Sequence, residues 1–233
     1  MQFSPSFYRT AAVCSVLSAV TTLLLIFLPE FFAPTEGFAG RMQRAMDPAY
    51  VLRSWVHLLH PFLVYTAALG VAMRLRRTHS VAAVVGLLGF VLWAFTEAGQ
   101  QTLTLFAFDR WRAAWIAGDE VVRAYKSLSV AIYDGLWDAM YFLLLIGFTI
   151  GNAAYGSALV RARALSRVVG CFLLAACALT LTIIAGELRW FTLPDPIDSW
   201  SYPAIQPLGR VLIGVWLWRA AVESAPFPGA AHR

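Results

Sequence analysis

The chain has 233 residues, 60% of them hydrophobic and 13% charged, against about 25% charged in an ordinary soluble domain. That balance, with a mean hydropathy of +0.67, excludes a soluble enzyme, a nucleic-acid module and a disordered tail. The net charge of +5 does not change this. Its 18 basic residues, with Lys126 the only lysine, are spread over the connections between apolar blocks, so no nucleic-acid partner is expected and the lipid bilayer is.

The first apolar block covers about 11–28. It follows a short segment with one positive charge, Arg9, as a secretory signal does. It is longer than the ~7–15 residues of a signal core, and Ala33 and Ala39 do not form an A-x-A cleavage pair. An uncleaved first helix is expected. Cys14 lies inside this block, as Cys171 and Cys177 lie inside a later one. With no CxxC spacing and no loop cysteine, they read as small apolar fillers.

The second block covers about 51–73 and carries His57 and His60 in the string WVHLLHPF. The i, i+3 spacing puts both rings on one helix face. Pro61 lacks an N–H, leaves the carbonyl of His57 without its helical partner, and predicts a kink beside a polar pair. A short basic connection follows, with Arg74, Arg76 and Arg77.

The third block, about 81–106, holds Gly86 and Gly89 early and Glu97, Gln100 and Gln101 late, in FTEAGQQT. Glu97 and Gln101 share a face at i, i+4. The connection 109–127 places Trp111, Trp115 and Val122 at helical spacing among charges. This predicts a helix lying in the membrane interface.

The fourth block, about 128–151, carries Asp134, Asp138 and Tyr141 in YDGLWDAMY, and then Gly147 and Gly151 as a small-xxx-small pair for close helix approach. Two carboxylates on one face repel, so they call for a metal, an arginine or a shared proton. A second short basic connection follows, with Arg161, Arg163 and Arg167.

The fifth block, about 168–190, ends with Glu187 and Arg189, close enough to the interface to reach water. The segment PDPIDSWSY, 194–202, predicts a turn-filled loop whose Trp200 and Tyr202 join an aromatic belt. The sixth block, about 203–221, carries Gln206 and Arg210, the latter a natural counter-ion for a buried carboxylate.

Each block is close to the ~20 residues needed to cross ~30 Å of hydrocarbon, and the blocks are continuous rather than alternating. The expectation is one all-α transmembrane domain over 1–233: a bundle of six helices, with an interfacial helix in the third-to-fourth connection. The two dense, acid-free basic connections place both termini in the cytoplasm, although Arg41, Arg44, Arg53, Arg110, Arg112, Arg123 and Lys126 lie on the other side.

With that topology His57, Asp134 and Arg210 each lie about two helical turns in from the outer side, and Glu97 and Glu187 about two turns and one turn from their exits. The inner halves are almost wholly apolar. Ionisable groups inside hydrocarbon are expensive, so their sharing one depth predicts a polar pocket in the outer half of the bilayer. The candidate residues are His57, His60, Glu97, Gln101, Asp134, Asp138, Tyr141 and Arg210, with His57 and His60 expected within reach of Asp134 or Glu97.

Three readings follow. The pocket binds or transports a small amphiphile, an ion or a proton. Alternatively His57, His60, Glu97, Asp134 and Asp138 hold a divalent metal, or act without one as acid and base, in a membrane-embedded enzyme for a lipid-like substrate. The third is an internal polar network, Arg210 with Glu97 or Asp134, locking a structural or signalling subunit. No H-E-x-x-H string, serine triad or inverted repeat singles out a catalytic residue.

The string DGLWDAMYFLLLIGFTIGN, a short basic connection and LSRVVGCFLLAACALT resemble the later half of an uncharacterised family of bacterial six-helix membrane proteins. The resemblance covers about half of the chain. It implies that fold in a bacterial inner membrane and brings no established activity.

Overall fold

A computed structural model describes residues 3–190 and 202–224. The described residues are 89% helical and contain no strand. The helices are α1 (Pro5–Phe27), α2 (Gly37–Gln43), α3 (Pro48–Leu75), α4 (Ser80–Leu103), α5 (Asp109–Ala117), α6 (Glu120–Leu159), α7 (Ala164–Glu187) and α8 (Tyr202–Glu223). Five helical stretches are long and apolar enough to cross a membrane: Pro5–Phe31, Pro48–Leu75, Ser80–Ala117, Glu120–Leu159 and Ala164–Glu187. The sixth apolar block is also helical, as α8, but it carries Arg210, Arg219 and Glu223 and stands outside those five.

Local chemistry sets the ends. Ser4 caps α1 by accepting from the Phe7 amide, with Pro5 in the first turn. Asp47 does the same for α3, accepting from the Ala49 and Tyr50 amides ahead of Pro48, while its second oxygen accepts from the Ala33 amide at 2.6 Å. Asp47 thereby ties the α1–α2 connection to the mouth of α3. These bonds hold its carboxyl below the usual value, the Ala33 amide contributing most.

The 109–127 connection differs from expectation. Leu103 leads through a π-helical turn, Thr104–Phe108, directly into α5. Gly118 then breaks the chain, and Asp119 caps a new helix by accepting from the Val122 amide at 2.9 Å. Residues 120–127 therefore belong to α6, whose 40 residues span about 60 Å at 1.5 Å each, twice the hydrocarbon thickness. Trp111 and Trp115 lie on α5 and Val122 on α6, rather than on one helix. Both tryptophans pack against a small buried cluster of Met42, Phe108, Val130 and Tyr133. Of the loop expected at 194–202, residues 194–201, with Trp200, lie outside the described residues, while Tyr202 opens α8.

The long helices close a ring: α1 touches α3, α3 touches α4, and α4, α6, α7 and α8 follow in turn back to α1. The α4–α6 seam is the most extensive, and Gly89, Gly147 and Gly151 make it possible. A Cβ on Gly89 would stand 2.5 Å from the Gly151 nitrogen and 2.8 Å from the Gly147 oxygen. The α7–α8 seam is sparse by comparison. Inside the ring, Tyr155 is fully buried, stacks on Phe90 at 5.5 Å and donates to the Ala68 carbonyl at 3.1 Å.

Candidate functional site

Two helices supply the centre of the site. His57 stands about 14 Å along α3 from Pro48, and its Nε2 donates to Oε1 of Glu97 on α4 at 2.7 Å. Glu97 is only 6% exposed, so this bond is what lets a carboxylate remain there. Nδ1 of His57 makes no bond to a described residue. One turn deeper, His60 turns the other way. Thr21 Oγ1 donates to the Ser18 carbonyl at 3.1 Å, so it accepts from His60 Nδ1 at 2.7 Å. The Trp93 ring meets His60 edge-on at 6.0 Å.

On α8, Arg210 Nη2 donates to Gln206 Oε1 at 3.1 Å, Arg210 Nη1 reaches Ser18 Oγ at 3.5 Å, and the Arg210 carbonyl accepts from Ser15 Oγ at 2.7 Å. Arg53, one turn above His57 on α3, donates Nε to the Leu25 carbonyl at 3.2 Å. Gln100 donates to the Trp137 carbonyl at 3.0 Å.

These side chains surround a cavity of about 500 Å³. Thr22, Arg53, His57, His60, Glu97, Gln100, Tyr141, Gln206 and Arg210 are its polar lining, with Glu187 exposed at the end of α7. Leu25, Ile26, Leu144, Leu179 and Ile183, with Trp93 and Trp137, are its apolar lining. A second cavity of about 190 Å³ adjoins it through the shared Arg53 and Trp137, and is lined by Tyr50, Gln101, Asp134 and Tyr133 among others.

The structure thus brings His57, His60, Glu97, Tyr141 and Arg210 to one cavity. Gln101 and Asp134 face the adjoining one, the Gln101 Nε2 without a bond to a described residue. Asp134 pairs with Arg41 of α2, so Arg210 is not its partner, and both members are more than a third exposed, at 38% and 42%. Asp138 is exposed and lines neither cavity. The turn angle explains this: at about 100° per residue, Asp138 lies some 40° round the helix from Asp134 and 60° from Tyr141. The reach expected of the histidines is met by His57 on Glu97, while His60 is engaged by Thr21.

Among the described residues no three His, Cys, Asp or Glu side chains converge closely enough to hold a metal ion. The expected ligand set is divided: His60 is turned to α1, Asp134 to Arg41, and Asp138 outward. What remains is a hydrogen-bonded histidine–glutamate pair set in a cavity with polar and apolar lining.

Several wall residues escaped the sequence reading. Arg53 was grouped with the loop charges, although it stands i−4 to His57 and so shares its face. The α1 contribution was missed altogether. Its signal was Ser15, Ser18, Thr21 and Thr22, a polar stripe at helical spacing in an otherwise apolar helix, with Ser15, Ser18 and Thr22 buried. Compared with family models, curated proteins and solved structures, the chain matches none.

Proposed function

We propose that this chain is a six-span integral membrane protein that binds a small amphiphile in a polar cavity in the outer half of the bilayer. Its α1, α3, α4, α6, α7 and α8 cross the membrane, α5 lies at the outer interface, and both termini face the cytoplasm of a bacterial cell. The reading rests on one observation, the cavity of about 500 Å³ between the helices with its mixed polar and apolar lining. Pockets for small ligands measure about 300–1,000 Å³ and set a few polar groups in a mostly apolar lining. An ion alone would leave most of this volume and all of its apolar lining unused.

The long apolar helices are compatible with the membrane location. The test is to extract the small molecules that accompany the protein purified in mild detergent, and to repeat this with Leu179→Trp, which places an indole in the cavity. The expected result is one amphiphile per chain that is lost in the variant. An identical set of molecules from both proteins overturns the reading. A second reading has one observation in its favour. His57 bonded to Glu97 is a base with an orienting carboxylate, the arrangement an enzyme acting on that same amphiphile would use. Turnover abolished by His57→Gln with ligand retention intact would select it.

A further inference from the structure

The polar cavity has an apolar neighbour. A narrow apolar slot of about 50 Å³ lies inside the ring, lined by residues of α1, α3, α4 and α6 as well as by Phe172, Leu173 and Ala176 of α7 and Ile205, Gly209 and Ile213 of α8. Gln206 and Arg210 line both spaces and so stand between them. Its α7 and α8 residues flank the sparsest seam of the ring. A Cβ on Gly209 would meet only Phe172 Cδ1, at 3.9 Å. A void holds a water when it offers roughly 10–15 Å³, so the slot admits several methylene-sized groups.

The unused hydrogen-bonding groups at the polar end include two nitrogens, the Gln206 amide as a donor and His57 Nδ1 as an acceptor. Gln206 is 6% exposed. Because Arg210 donates to its Oε1, its other atom is fixed as the amide nitrogen, and that nitrogen has no partner among the described residues. Arg53 makes no ion pair among the described residues. The buried carboxylate of the wall, Glu97, already accepts from His57, and Glu187 is exposed at the rim. A guest therefore meets the Gln206 amide N–H and the Arg53 guanidinium, beside an open acceptor at His57 Nδ1.

We infer that the amphiphile is a single-chain acid. Its oxyanion head, a carboxylate or phosphate monoester, accepts from Gln206 and Arg53, and its alkyl tail lies in the apolar slot. This inference rests on the amphiphile reading above and specifies its ligand.

The test uses the full chain in detergent micelles and native mass spectrometry, with oleate, oleyl phosphate, oleyl alcohol and oleylamine as probes and acetate as a head without a tail. Oleate or oleyl phosphate should bind one per chain at least tenfold more tightly than the alcohol or the amine, and the stronger of the two identifies the head. Acetate should not bind. Arg53→Gln and Gln206→Leu should each reduce the preference for acid over alcohol, and either suffices if the other fails to fold. Gly209→Leu, which fills the slot, should remove the advantage of oleate over octanoate. Equal one-per-chain binding of acid, alcohol and amine, lost in Leu179→Trp, overturns the acid while leaving an amphiphile cavity. No one-per-chain binding by any probe overturns the cavity reading itself. Unchanged chain-length dependence in Gly209→Leu overturns the placement of the tail.

Discussion

The bond between His57 and Glu97 can be measured by a double-mutant cycle with His57→Leu and Glu97→Leu. Each single variant leaves the other partner unpaired at a site where Glu97 is 6% exposed and the His57 side chain 19%. Removing one partner of a buried hydrogen bond costs about 1–3 kcal/mol, and about 3–5 kcal/mol when an ion is left uncompensated. Interhelical hydrogen bonds in membranes average about 0.6 kcal/mol in such cycles and reach about 1.7. Bonds to charged groups contribute about 1.5–3 kcal/mol. The distance of 2.7 Å and the carboxylate partner place this bond near the top of the membrane range, and the partial exposure of His57 keeps it below the buried-ion figure. The expected coupling is about 1.5 kcal/mol, read from reversible unfolding of the four proteins in mixed micelles at fixed detergent ratio. Independent sites add to within about 0.3–0.5 kcal/mol. A coupling inside that scatter refutes the claim that this pair holds α3 to α4.

Three further outcomes are expected. Gly89→Ala forces a Cβ against the Gly151 and Gly147 backbone and should destabilise by about 1–3 kcal/mol. Gly135→Ala, with nothing within 4 Å of its added Cβ, should instead stabilise α6 by about 0.5–1 kcal/mol; thermal unfolding of both variants checks the contrast of sign. Asp47 has a depressed carboxyl, so its stabilising bonds are fully present above the unfolded value of 3.8 and are lost as pH falls through the lower folded value. The stability difference between the wild type and Asp47→Asn should therefore hold near pH 6 and vanish in strong acid, and a difference that grows on acidification contradicts the assignment. Asp134→Asn should cost less than about 1 kcal/mol, since its pair with Arg41 is screened by solvent, and Asp138→Asn should be silent in stability and ligand retention alike. A loss on Asp138→Asn as large as that on Glu97→Leu would contradict the wall assignment.

The helices were legible because hydrocarbon imposes a length and a composition that a single chain displays openly. Position along each helix was legible for the same reason: counting residues from a block edge gives a distance along its axis. Direction around the axis was not. Asp134, Asp138 and Tyr141 fall within a narrow sector by i, i+4 and i, i+7 spacing, yet a rotation of some 40–60° separates a cavity wall from an exposed surface. No rule of spacing sets which part of a sector faces inward; the neighbours decide it. For α6 the decisive neighbour is α4, pressed against it through Gly89, Gly147 and Gly151. That contact fixes the rotation and so sends Tyr141 in and Asp138 out.

The same packing accounts for where space remains. Backbone contact at the α4–α6 seam of the ring contrasts with the sparse seam at α7–α8. The polar residues of α3, α4 and α8 line the cavity between the helices. Arg41 and Arg53 show how a sequence conceals this. Both read as loop charges, and both are drawn to the ring by partners in other segments, Asp134 for one and the Leu25 carbonyl for the other. A cation near a helix end can reach water by its own length, so composition alone assigns it to the surface. Only the carbonyl left open at the end of α1 turns Arg53 inward, and that partner lies 28 residues away in sequence.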